Sequence, residues 1–182
     1  ENWRETSEGE RFQHARLSLT GDDTETDLGC AVYKVAPGKR AHPKHAHLAN
    51  DEAIYVLSGE GALTVGDEEV KLSEGEFALL PRGSEFAHVF FNDGSSELVY
   101  LCLSTKKAPD VIYYSDSDKV AISEKRYSGR PKTRGKVGGF YQHNAETSYY
   151  DGEDISFTVP ALSDTAAEAA AAVAAADAAW VE

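Results

Sequence analysis

The chain has 182 residues, enough for one compact domain with a sizeable core, and its 41% hydrophobic and 27% charged content is ordinary for a globular protein. Asp and Glu outnumber Lys and Arg by 31 to 18, a formal charge of −13. Such a surface repels phosphate backbones and anionic lipid, and no apolar run reaches the roughly 20 residues of a membrane-spanning helix, so neither nucleic acid nor a membrane is an expected partner.

Residues 1–11 are polar and carry no apolar core of the signal-peptide kind. From Phe12 to Tyr114, short β-branched and aromatic runs alternate with turn signals. Strands are predicted at Phe12–Leu19, Cys30–Ala36, Ala53–Leu57, Ala62–Val65, Glu69–Leu72, Phe77–Leu80, Phe86–Phe91 and Leu98–Ser104. Breaks at Gly59-Glu60-Gly61, Gly66-Asp67, Glu74-Gly75 and Asp93-Gly94 separate them, and Val65 to Val70 reads as a hairpin. Many short strands without a helical period specify an all-β sandwich or barrel. Cys30 and Cys102 lie in two of the apolar runs with no chelating partner nearby. They are expected as buried free thiols, which favours a reducing, cytoplasmic setting.

The stretch from Ser115 to Asp154 is polar and Gly-rich, with one candidate strand at Lys119–Ile122. Within it Lys125, Arg126, Arg130, Lys132, Arg134 and Lys136 form a basic run without an acid. This is either a solvated loop that pairs with the acidic surface or an anion site for a phosphorylated or carboxylated ligand. At the carboxyl end, Thr165-Ala166-Ala167-Glu168 is a capping-box pattern that opens an Ala-rich run to Trp180. Its stripe of Leu162, Ala166, Ala169, Val173, Ala176 and Trp180 buries little area, so the segment is expected either to dock as a helix on the barrel or on a second subunit, or to be a frayed tail.

His45 and His47 stand two residues apart, so on an extended chain both imidazoles project from one face. Glu52 follows, and His88 comes after a second turn marked by Gly75, Pro81 and Gly83. Three imidazoles and one carboxylate form a facial set suited to Fe, Mn, Zn, Ni or Co rather than Ca or Mg. Four protein donors leave open positions on a six-coordinate ion, as a catalytic centre needs. Asp51 is expected to face away and be exposed. His14 and His143 read as ordinary surface or core histidines, and His42 as a loop residue, a support for the ligands or a gate. Arg40, Lys44 and Arg82 read as surface charges able to meet a substrate anion. Tyr33, Tyr55, Phe77, Phe86, Phe90 and Tyr100 read as core or cavity lining.

The order Gly38…His45-Ala46-His47…Glu52…Gly59, then Gly75…Pro81-Arg82-Gly83…His88…Asn92, resembles the paired motifs of the cupin superfamily. The resemblance implies a jelly-roll β-barrel, or double-stranded β-helix, over residues 1–115 and a divalent transition metal held by His45, His47, Glu52 and His88. Two spacings depart from the family pattern: one extra residue lies between Gly38 and His45, and two lie between Gly83 and His88. An even insertion keeps His88 on the same strand face. Pro109-Asp110, Tyr114-Ser115-Asp116-Ser117-Asp118-Lys119 and Tyr150-Asp151-Gly152-Glu153 are similar to a group of small cupins. On that likeness residues 116–160 are an extension packed on the barrel; the Ala-rich pattern makes residues 161–182 a terminal helix. The implied function is a metal-dependent dioxygenase or isomerase acting on a small organic molecule, or a non-catalytic module that binds a sugar or organic acid. A homodimer is expected, since an exposed sheet edge needs a cover.

Overall fold

Alternating burial along β-rich runs builds the molecule. The computed structural model describes residues 2–21, 26–124, 136–144, 146–149 and 151–152. Its strands are β1 (Arg4–Glu8), β2 (Phe12–Ser18), β3 (Leu28–Val35), β4 (Ala46–His47), β5 (Glu52–Ser58), β6 (Glu60–Val65), β7 (Glu68–Ser73), β8 (Phe77–Leu80), β9 (His88–Phe91), β10 (Leu98–Thr105), β11 (Asp110–Tyr114), β12 (Lys119–Ser123) and β13 (Gly139–Gln142). They form a six-stranded sheet ordered β1-β2-β3-β10-β5-β8, a four-stranded sheet ordered β13-β12-β11-β4 and a three-stranded sheet ordered β7-β6-β9. This is an all-β, jelly-roll arrangement.

Residues 1–145 form one unit; of the second, 146–182, the described part is a short turn in which the Asp151 amide donates to the Ser148 carbonyl at 3.1 Å. The basic run lies outside the described residues except for Lys136, and the Ala-rich segment lies outside them altogether.

Inward positions at a spacing of two make the core: Ala31, Tyr33 and Val35 on β3, Ile54 and Val56 on β5, and Leu98 and Tyr100 on β10. Leu63, Leu72 and Phe90 of the three-stranded sheet close over them. Each such large apolar side chain contributes about 1.5–3 kcal/mol through burial. Gly61 permits a close approach of the sheets, since a Cβ there would sit 2.7 Å from the Phe91 carbonyl oxygen and 2.9 Å from Leu98 and Phe90 side-chain atoms. Asn92, fully buried, donates to the carbonyls of Val35 (2.7 Å) and Ser96 (2.9 Å) and accepts from the Gly94 amide (3.0 Å). The asparagine of the second motif thus ties the β9–β10 turn to the end of β3.

The predicted strand at Phe86–Phe91 starts instead at His88, because Ser84–Phe86 coil into a 3-10 turn. The two extra residues before His88 are absorbed there rather than along a strand. β1, β4, β11 and β13 had no alternating apolar signal. β1 is exposed throughout and is held as an edge strand by its pairing with β2. Tyr55 and Phe77, expected inside, face outward at 40% and 59% exposure, as do Leu57 and Leu79.

Candidate metal centre

The backbones of His45 and His88 pair directly: the His45 amide donates to the His88 carbonyl at 3.0 Å and the His88 amide to the His45 carbonyl at 2.8 Å. His47 sits on β4 opposite Ile112 of β11, and Glu52 opens β5 opposite Leu80. The Gly83 amide donates to the His47 carbonyl at 2.9 Å. Gly83 adopts a φ of 130°, a conformation strained for any residue with a Cβ, so a glycine is needed where the chain swings into the 3-10 turn that delivers His88.

Each of the three imidazoles uses Nδ1 on a protein acceptor. His45 Nδ1 lies 2.8 Å from the Pro43 carbonyl, His88 Nδ1 3.0 Å from the Phe86 carbonyl, and His47 Nδ1 2.6 Å from the Asp110 carboxylate. A carbonyl or carboxylate only accepts, so the proton is assigned to Nδ1 and Nε2 carries the lone pair. All three Nε2 atoms turn to Glu52, at 3.9 Å for His45, 3.7 Å for His47 and 3.1 Å for His88. Donor atoms of His45, Glu52 and His88 lie within 4.8 Å of one another, and His47 faces the same carboxylate. Lone pairs facing a carboxylate need a cation between them, either a proton or a metal ion. With Nδ1 already bonded, the donor set fits a divalent transition metal.

Electrostatics follow the same pattern. Burial pushes the Glu52 carboxyl up, but the hydrogen bond with His88 and the His47 and His45 rings pull it below the usual carboxylate range. Burial lowers His45 to about 4, with Glu52 opposing. Burial also lowers His47, yet the bond to Asp110 and the Glu52 charge outweigh it and raise that ring above its ordinary value. Asp110 is buried and accepts from the Ala49 amide at 3.0 Å through its other oxygen. Burial would raise it, and the His47 bond holds it low instead. Pro109-Asp110 served in the sequence only as a mark of likeness, and Asp110 had no expected role at the site, because its partner is 63 residues away.

The four side chains open on a cavity of about 520 Å³ lined by the inner faces of β2, β3 and β10. His42 stands beside His45, with ring centres 6.0 Å apart, and contacts His14 at 5.1 Å and Tyr33 at 5.3 Å. Burial, with the neighbouring His45 and His14, lowers His42 to about 3, so it is neutral at pH 7. His14, read as a surface or core histidine, is buried and lines the cavity, and its Nδ1 has no hydrogen-bond partner among the described residues. Burial and the Arg16 charge lower its pKa, with the Ala41 carbonyl opposing. His143 stays on the surface, 3.2 Å from Asp118.

Asp51 is half-buried rather than exposed. It points away from Glu52 and pairs with Arg82 at 3.3 Å. Lys44 donates to the Gly66 carbonyl at 2.6 Å, and the Arg40 guanidinium lies over the Phe91 ring. Cys30 and Cys102 are free and partly buried. Among the described residues no helix is long and apolar enough to cross a membrane.

The Cupin domain family matches residues 31–104. The fold is similar to that of a "putative sugar phosphate isomerase" from Acidithiobacillus ferrooxidans, at 26% identity over 75% of this chain and 80% of that chain, with a TM-score of 0.62. A "sugar phosphate isomerase from a cupin superfamily" from Silicibacter pomeroyi matches at 21% identity over 76% and 82%, also with a TM-score of 0.62. A "predicted oxalate decarboxylase" from Thermotoga maritima matches at 21% identity over 57% and 90%, with a TM-score of 0.51. No curated protein matches the chain. The ordered motifs and the double-stranded β-helix agree with the Cupin domain match over residues 31–104, and the fold is that of the cupins.

Proposed function

We propose that the protein is a divalent-metal enzyme of the isomerase type acting on a small polyhydroxylated substrate, with His45, His47, Glu52 and His88 as the metal ligands. The observation that carries the reading is the assignment of three Nδ1 protons to protein acceptors, which leaves three Nε2 lone pairs and a buried carboxylate converging at the cavity. A bound ion supplies Lewis acidity to a carbonyl–hydroxyl pair. The chain's own residues orient the rings, through Asp110 and the carbonyls of Pro43 and Phe86, and neutral His42 offers one donor and one acceptor to substrate hydroxyls. The cavity volume suits a molecule of hexose size. Likeness to the Acidithiobacillus protein supports isomerisation over oxygenation.

The test is elemental analysis of chelator-free protein, followed by proton NMR of candidate sugars in D2O. Near-stoichiometric metal with enzyme-dependent exchange of a carbon-bound proton next to the carbonyl supports the reading. Stoichiometric metal without turnover or exchange across phosphorylated and free sugars moves it to a non-catalytic binding cupin. Absence of metal after reconstitution with each of Fe, Mn, Zn, Ni and Co sinks it.

We further infer a homodimer in a reducing, cytoplasmic setting. Support for self-association comes from Tyr55, Leu57, Phe77 and Leu79, an exposed apolar group on β5 and the edge strand β8 that carries no charge in a chain of net −13. Support for the setting comes from the two free thiols. Light scattering at micromolar concentration should give twice the chain mass, and Phe77→Ser with Leu79→Ser should halve it. A monomeric wild-type peak counts against the dimer.

A further inference from the structure

The cavity holds a second group of side chains apart from the four candidate ligands. Where β1 and β2 pair, Arg4 stands directly opposite Arg16 and Thr6 opposite His14, and all four line the cavity. Like charges directly opposite on one sheet face repel, and here they do so inside a chain of net charge −13. Glu8 is the carboxylate that β1 adds to this wall. Arg16 is fixed by a hydrogen bond from Nε to the Tyr33 hydroxyl at 3.1 Å, and Tyr33 is stacked on Tyr100 with ring centres 5.3 Å apart. From Tyr33 the rings continue to His42 at 5.3 Å and on to His45 at 6.0 Å. An unbroken wall of rings therefore joins the arginine pair to the candidate metal centre. A guanidinium has five N–H donors in a planar fork, so a partner held within the protein does not exhaust it.

We propose that Arg4 and Arg16 form an anion subsite that takes the phosphate or carboxylate end of a small bifunctional substrate, whose oxygen-rich other end reaches His45, His47, Glu52 and His88. This rests on the reading of the cavity as the substrate site of a metal enzyme and adds the class of substrate. Charge-assisted forks recognise an oxyanion and discriminate against a neutral hydroxyl at the same position. Tyr33 holds one fork in place, and His14 and His42 supply neutral polar contacts between the two ends.

The experiment uses the full chain, metal-loaded, and titrates glucose 6-phosphate, glucuronate and glucose by calorimetry. These probes carry a phosphate, a carboxylate and a hydroxyl at the same carbon. At least one anion should bind roughly 10-fold or more tightly than glucose, and whichever binds tighter names the oxyanion. Arg16→Gln and Arg4→Gln should each remove about 10-fold of that preference, with metal content unchanged. Arg4 is exposed on an edge strand, so its variant decides the matter if Arg16→Gln does not fold. Equal binding of all three probes by the wild type overturns the proposal, as does a preference that survives in folded Arg4→Gln. Chelator-treated protein titrated with inorganic phosphate separates the two readings. Arginine-dependent phosphate binding without any metal uptake keeps the subsite and sinks the metal enzyme. Metal uptake without an anion preference does the reverse.

Discussion

The histidines at the candidate metal centre and the pair formed by His14 and His42 face one cavity, yet their second nitrogens are treated differently. His45, His47 and His88 each spend Nδ1 on a carbonyl or carboxylate, whereas the buried Nδ1 of His14 finds no partner among the described residues. The first arrangement fixes the tautomer and aims Nε2; the second leaves the ring without that constraint. Proximity to the site therefore does not identify a ligand. The partner of the other nitrogen does.

The largest effect should come from His45→Ala or His88→Ala, which should take bound metal from near-stoichiometric to background by plasma mass spectrometry, while His14→Ala keeps it. Metal loss in His14→Ala equal to that in His45→Ala would erase the comparison. Asp110→Asn keeps the shape but weakens the acceptor for His47, and should cost about 10–100-fold in metal affinity by competition with a chelator. An unchanged affinity would show that His47 is oriented by β4 alone.

Acid sharpens the contrast on the other side. His42 is lowered to about 3 by burial, against 6.5 for the free side chain, so between these values the unfolded chain binds a proton that the folded chain refuses. Stability of the metal-free protein should thus fall as pH drops from 6.5 toward 3, and His42→Gln should flatten that fall in denaturant melts. Parallel slopes for wild type and variant would rule out this source. Smallest of all, His143→Ala should leave metal content unchanged and shift stability by less than about 0.5 kcal/mol, because that ring is exposed on Asp118. A drop in metal content there would reopen the ligand assignment.

The strands that carry the core were legible because β3, β5 and β10 alternate apolar residues with a period of two. Phe77–Leu80 was placed to the residue. β1 was not legible: Arg-Glu-Thr-Ser-Glu has no buried face and is a strand through its backbone pairing alone. The four side chains of the candidate centre could be named from their order and turn glycines, and the fold does gather them. Asp110 and the Arg4–Arg16 pair could not, since each depends on a partner far along the chain or on the register of two strands. The place of His14 on the cavity wall was hidden for the same reason. Nothing local to Gln13-His14-Ala15 indicates that β2 turns this ring into the cavity. Outward-facing Tyr55 and Phe77 show the converse, since an aromatic on a strand reports burial only when the sheet's other face is known.

Because the main chains of His45 and His88 exchange two hydrogen bonds, the jaws of the clamp are tied together by the fold and not by whatever lies between them. Apo and metal-loaded protein should then give amide spectra that differ only near the clamp, and a globally altered apo spectrum would refute this. On the proposed reading, an ion would be laid onto a finished barrel. Such a clamp would not select its ion by folding around it, so the metal taken up would follow donor preference and the supply of ions when the barrel is made.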